Sequence, residues 1–236
     1  MCAASSMAYF LCFRWLGIGA KKQPMDLWNY QEIIFNLRPK LLVEFGTSNG
    51  GSTRFLADLM KTIHGTERLD YRVLSVDVEH SKVHESLWEM PHVELLQAPS
   101  QSRRTQNRIR ELREKYPGPM WLILDGLHDR ISVLLELQMS VPLLVEGDYL
   151  IVEDSNLDGY PEAVQQGWGP CAYDAIVEFA AMNRHILKRD IEREFKFGFT
   201  QSVVGFWNIK GRPMGSTDAL EVFNLLSDEE NPWLNA

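Results

Sequence analysis

Three acids stand directly behind two apolar runs: Asp125 follows Trp121–Leu124, and the pair Glu153-Asp154 follows Tyr149–Val152. If the two runs are parallel neighbours in one sheet, their carboxyl ends lie side by side, and the carboxylates repel one another unless a cation separates them. Oxygen donors of this kind select a hard ion, Mg2+ first and Mn2+ or Ca2+ less specifically. No Cys or His set with zinc spacing competes for that role. His128, three residues beyond Asp125, reaches the same mouth, and a neutral imidazole there can take a proton from a hydroxyl. A second account stays open at this level: strand-end acids also cap turns and helices, and His128 also suits a surface pairing with Asp129.

The stretch from Val43 to Thr53 carries a different chemistry. A short apolar strand enters it, the glycines Gly46, Gly50 and Gly51 let the backbone approach a ligand, and a helix leaves it at Ser52. Thr47 belongs to the same loop. The loop is neither G-x-G-x-x-G nor a Gly-Lys-Ser/Thr phosphate loop. Glu44, at the strand end, favours an amine-bearing ligand over a pyrophosphate, which it would repel. Asp77 closes the next strand, where a carboxylate can accept both hydroxyls of a ribose. A glycine loop with a ribose acid and no pyrophosphate features points to S-adenosylmethionine rather than NAD. Ordinary turn glycines are the competing account.

The elements needed to hold these residues are legible as alternation. Apolar strands at Leu41–Val43, Arg72–Val76, Val93–Leu96, Trp121–Leu124 and Tyr149–Val152 are separated by helical segments. That is the pattern of an α/β protein with a single doubly wound, mostly parallel sheet. Asp26 is placed to cap a helix through Trp28, Tyr30, Ile33, Ile34 and Leu37 that stops before Pro39. Phe195–Phe199 and Ser202–Trp207 alternate like a closing antiparallel hairpin. A long Gly- and Pro-bearing loop after the acid pair offers Tyr160 and Trp168 as one wall of an acceptor pocket, with Trp28 and Tyr30 as another or as plain packing.

The chain has 236 residues, long enough for one full domain and short for two. Its 45% apolar and 24% charged content excludes wholesale disorder, and a net charge of −8 argues against nucleic acid as a partner. Three cysteines make no disulfide framework, which fits a reducing, cytoplasmic setting. Met7–Ala20 is mostly apolar but is broken by Arg14 and falls short of a membrane span, so it reads as an apolar, helical extension. The expected division is residues 1–23 as extension, 24–210 as the folded domain and 211–236 as a surface tail. The apolar first twenty residues offer a surface for a second copy or an accessory protein.

Taken together these pieces resemble the cephalosporin hydroxylase family, from about Pro24 to Trp207. The resemblance rests on Pro24-Met25-Asp26-Leu27, Arg38-Pro39-Lys40, Glu44-Phe45-Gly46-Thr47 with Gly50-Gly51-Ser52, Asp77, Leu124-Asp125, Val152-Glu153-Asp154-Ser155-Asn156, Gly169-Pro170 and Arg193-Glu194-Phe195-Lys196-Phe197. It implies a Rossmann-like class I methyltransferase fold and a family that includes rhamnosyl O-methyltransferases. It also implies that Glu44, Gly46 and Gly50-Gly51-Ser52 hold the methionine end of S-adenosylmethionine, with Asp77 on its ribose and Ser100 and Asp125 beside it. Asp125, Glu153 and Asp154 would bind Mg2+, and His128 would be the base. The family reads Asp-x-Asp-His where this chain reads Asp125-Gly126-Leu127-His128, and Ala98-Pro99-Ser100 replaces Gly-Ser-Ser. The expected activity is Mg2+-assisted O-methylation of a small natural product or sugar. Two other readings keep the fold: an iron hydroxylase, which lacks the usual two-histidine set, and a non-catalytic accessory subunit, which the replacement by Leu127 favours.

Overall fold

Residue parity along the strands sets the architecture. Leu41, Val43 and Phe45 pack into one apolar cluster and Leu42 into another; Leu122 and Leu124 separate from Trp121 and Ile123 in the same way, as do Leu150 and Val152 from Tyr149 and Ile151. A sheet that is apolar on both faces must be covered on both. The computed structural model, which describes residues 13–65, 69–159 and 170–211, provides that cover with helices.

The described chain opens with a hairpin, β1 (Arg14–Trp15) and β2 (Ile18–Gly19), and continues through α1 (Pro24–Leu37), β3 (Leu41–Phe45), α2 (Gly51–His64), β4 (Arg72–Asp77) and β5 (Val93–Gln97). Then come α3 (Arg103–Lys115), β6 (Met120–Leu124), α4 (Arg130–Ser140), β7 (Tyr149–Val152), α5 (Ala172–Met182), β8 (Leu187–Arg189), α6 (Ile191–Phe195) and β9 (Phe206–Ile209). The main sheet has the order β5-β4-β3-β6-β7-β9-β8. Its first five strands are parallel, while β9 runs antiparallel to both β7 and β8. Helices α1 and α2 cover one face, and α3, α4 and α5 the other. The winding reverses between β3 and β6, so a crevice opens there, at the carboxyl ends of the strands.

Local chemistry explains the boundaries. Pro24 supplies a preset φ at the start of α1, and Arg38 ends the helix in the left-handed region, φ 50°, ahead of Pro39. Asp129 caps α4 by accepting from the amide of Ser132 at 3.0 Å. Asp158 does the same work for α5, taking the amides of Cys171 at 2.8 Å and Tyr173 at 3.1 Å.

Three local expectations are corrected. Residues 14–19 form a hairpin instead of the expected helix, because Leu16 and Gly17 turn the chain with φ 46° and 86°. Asp26 lies inside α1 and caps nothing; its buried carboxylate accepts from Thr200 Oγ1 at 2.6 Å and the amide of Gln201 at 3.0 Å. The closing antiparallel pair is Leu187–Arg189 with Phe206–Ile209, not 195–199 with 202–207. Asp190 starts α6, and the buried Glu194 is gripped by Arg189 at 2.5 and 2.7 Å and takes the amide of Val204, which draws residues 195–199 out of the sheet. Residues 1–12, most of the expected tail, and Tyr160 and Trp168 lie outside the described residues. Among the described residues no helix is long and apolar enough to cross a membrane.

The Asp26 contacts tie the first helix to a segment near the end of the chain. Asp26→Ala should therefore lower the unfolding free energy by about 1–3 kcal/mol in urea titration, and Asp26→Asn, which keeps one acceptor, by less.

Candidate active site

The ladder at the crevice fixes where each backbone ends. The amide of Gly46 donates to Val76 O at 2.8 Å, that of Asp125 to Phe45 O at 3.0 Å, and that of Glu153 to Leu124 O at 2.9 Å. Gly46 has φ 97°, and a Cβ there would stand 1.9 Å from the Asp125 carbonyl oxygen, so only glycine lets β3 and β6 end this close together. Gly51 meets a different neighbour: its Cβ would lie 2.2 Å from Gly19 O. The β1–β2 hairpin is thus seated directly on the glycine loop. Lys21 follows the hairpin and donates from Nζ to Ser48 Oγ at 2.9 Å.

A cavity of about 380 Å3 opens over this loop. Gly46, Thr47, Gly51, Ser52, Asp77, Ser100 and Asp125, all expected at a cofactor, line it, as do His128 and Asp154. Asp77 is oriented by two amides, Ser48 N at 2.9 Å and Glu79 N at 3.2 Å. Gly50 and Glu44 stand behind the wall instead. Gly50 (φ 86°) leaves room for Leu87, 2.8 Å from where a Cβ would be. Glu44 is fully buried on the α2 face, where Ser52 Oγ at 2.5 Å, Ser75 Oγ at 2.9 Å and Thr53 Oγ1 all donate to its carboxylate. Its charge is spent on holding the loop rather than facing a ligand.

The strand-end acids divide between two environments. Asp125 and Glu153 share the parity of Trp121, Ile123, Tyr149 and Ile151, so both project toward α1. A cation does lie between them, and it is the side chain of Lys22. Its buried ammonium bonds Asp125 Oδ2 and reaches Glu153 Oε2 at 2.7 Å, while Tyr30 donates to Glu153 Oε1 at 2.8 Å. Tyr30 is itself fixed edge-on against Trp121, with ring centroids 5.2 Å apart. Trp28, two residues earlier, is exposed and does not line the cavity.

Burial alone would strip Lys22 of its proton; the fields of Asp125, Glu153 and Glu44 outweigh it and push its pKa up. Burial raises Asp125 to about 7, with Lys22 pulling it down and Asp154 pushing it up. Glu153 is likewise raised, by burial first and then by Asp125.

Asp154 points elsewhere. It sits in the left-handed region at φ 54°, an uncommon conformation for a non-glycine residue, and its Oδ2 is 3.1 Å from His128 Nε2. Asp125, His128 and Asp154 each bring a donor atom within 4.8 Å of the other two, a spacing one divalent ion can span. Glu153, expected as a third oxygen ligand, is outside this group. Lys22 was not anticipated at all: a lysine next to another lysine and ahead of Pro24 carries no signal of acids 103 and 131 residues downstream.

Comparison with known proteins follows the same line. Residues 7–209 match the family model described as Rhamnosyl O-methyltransferase/CmcI. The rhamnosyl O-methyltransferase of Mycobacterium leprae is 40% identical over 192 residues, covering 81% of this chain and 81% of that protein. The rhamnosyl O-methyltransferase of Mycobacterium tuberculosis H37Rv is 39% identical, covering 81% and 76%. A solved structure of CmcI with Mg and SAM superposes with a TM-score of 0.66 at 24% identity, over 88% of this chain and 81% of that one, and so shares the fold.

The buried ammonium between two acids gives a direct test. Lys22→Met should cost roughly 3–5 kcal/mol of stability by urea unfolding, and neutralising both partners as well, with Asp125→Asn and Glu153→Gln, should restore most of it.

Proposed function

The chain belongs to the rhamnosyl O-methyltransferase/CmcI family, and on that footing we propose that it transfers a methyl group from S-adenosylmethionine to a hydroxyl of a sugar or other small natural product. The observation that carries the reading is the meeting, in one cavity, of the glycine cradle with the Asp125–His128–Asp154 group. Gly46 and Gly51 let β6 and the β1–β2 hairpin close in on the loop that lines the cavity, and Asp77, held by two amides, offers its carboxylate to ribose hydroxyls.

The donor set suits a hard divalent cation, with Asp125 and Asp154 as its holders. When bound, such an ion lowers the pKa of a hydroxyl and orients it. The sulfonium is already an activated electrophile, so the chain has chiefly to align oxygen, methyl carbon and sulfur and to keep water away. His128, beside Asp154, is placed to receive the hydroxyl proton. Glu153 acts through Lys22 and Tyr30, setting the position of Asp125 rather than meeting the substrate. In this reading the folded unit takes in the hairpin and Lys22 as well as the expected 24–210, and the protein works in the cytoplasm on a small acceptor.

An iron-hydroxylase role is less well supported, since the group contains one histidine. Leu127 replaces the second acid of the family turn, but His128 and Asp154 stand in the same group, which favours catalysis over an accessory role.

Asp154→Ala should abolish methyl transfer to a rhamnosyl acceptor while S-adenosylhomocysteine affinity by calorimetry changes by no more than a few-fold. Chelation should have the same effect on turnover, reversed by added Mg2+. Full turnover after chelation would remove the ion from the mechanism, and failure to bind S-adenosylhomocysteine would end the methyltransferase reading.

A further inference from the structure

The three strand-end acids do not meet the cavity equally. Asp125 and Asp154 line it together with His128, whereas Glu153 and Lys22 do not. The Lys22 side chain is 2% exposed and that of Glu153 4%, against 18% for Asp125. Asp125 therefore serves two partners. Its Oδ2 accepts from the enclosed ammonium, and it brings a donor atom to the group with His128 and Asp154. The backbone explains how a lysine comes to be there. Lys21 lies in the left-handed region at φ 50°, so the two neighbouring lysines part, Lys21 going to Ser48 on the glycine loop and Lys22 to the acids.

We propose that Lys22 sets the number of divalent ions this site holds: its ammonium stands as a tethered cation between Asp125 and Glu153, keeps Glu153 out of the donor set, and leaves a place for a single ion at Asp125, His128 and Asp154. The inference rests on the reading of that group as a divalent-cation site. Formal charge carries the argument. Three ionised carboxylates less one ammonium leave two negative charges, which one divalent ion cancels. Glu44, the next acid behind the wall, is already satisfied by the hydroxyls of Ser52, Thr53 and Ser75. A further carboxylate in the set would bind the ion more tightly and fill one of its coordination positions. With Glu153 tied to Lys22 and Tyr30, that position stays open to an acceptor oxygen or to water. Without the ammonium, Asp125 and Glu153 would face each other across a space sized for a cation and enclosed from solvent.

The test is Mn2+ binding, by calorimetry and paramagnetic resonance, to the wild-type chain and to Lys22→Ala, with melting temperatures taken in chelator and in added Mn2+. The wild type should bind one ion. Lys22→Ala should either take up a second or hold the first roughly tenfold more tightly, because Glu153 becomes free to ligate. Its melting temperature, low in chelator, should rise with Mn2+ by several degrees more than that of the wild type. Lys22→Met combined with Glu153→Gln removes one charge of each sign and should return to one ion at an affinity within a few-fold of wild type. Should Lys22→Ala be unfolded in chelator, Mn2+ should restore its fold where Na+ at equal ionic strength does not, and failure of Mn2+ to do so overturns the proposal. A lysine that only braced the strands would lower stability without moving ion number or affinity. A folded Lys22→Ala with unchanged number and affinity, or with weaker binding, therefore overturns the proposal as well. A wild-type chain that binds no Mn2+ overturns the divalent-ion reading beneath it.

Discussion

An ammonium group wedged between two carboxylates holds the crevice together. Asp125 and Glu153 end adjacent parallel strands on the same face, Glu153 buried and Asp125 at the cavity wall, and at that spacing two unpaired negative charges would take up a proton or force the strand ends apart. Lys22 resolves the conflict from a segment that belongs to neither strand. Because the same segment carries the hairpin that sits on Gly51, the charge balance of the sheet and the shape of the glycine loop are set by one short stretch of chain. Glu44 repeats the logic by other means: three hydroxyls on α2 and β4 satisfy a carboxylate that has no cation in contact among the described residues.

This division changes how the acids share their work. Two of the three strand-end carboxylates face Lys22, and Asp125 is common to that pair and to the group with His128 and Asp154. Asp154 joins that group by adopting a backbone conformation that non-glycine residues rarely visit. The strain and the shared acid both fall at the crevice, where the winding of the sheet reverses. Leu16, Lys21, Arg38, Ser48 and Val204 share that backbone region.

Much of this was visible in the residues themselves. Short apolar-rich runs marked all five parallel strands, and reading two of them as parallel neighbours put Asp125, Glu153 and Asp154 at adjacent strand ends; the register that makes Asp125 and Glu153 the next rung after Leu124 and Val152 comes from the structure. What stayed hidden was everything set by distant segments. Asp26 has the type and place of a helix cap, and only the return of Thr200 and Gln201 shows that it has another task. The alternation of Phe195, Phe197 and Phe199 imitates a strand, but Glu194 and Arg189 anchor a helix just before it. Glu136, on α4 and 1% exposed, looks like one more charged helix residue until its burial is known. The need for a cation between the acids was legible; that a lysine of the same chain provides it was not.

The seat of the hairpin on the loop has a consequence for where the protein begins in practice. Judged by apolar pattern, the domain starts at Pro24, and a chain trimmed to that point retains every strand of the seven-stranded sheet and every helix described here. It would still lack its keystone. The trimmed edge of Gly51 would face solvent where Gly19 now rests, and two strand tips would be left with like charges and no mediator. The stretch from Arg14 to Lys22 therefore belongs to the framework of the cavity.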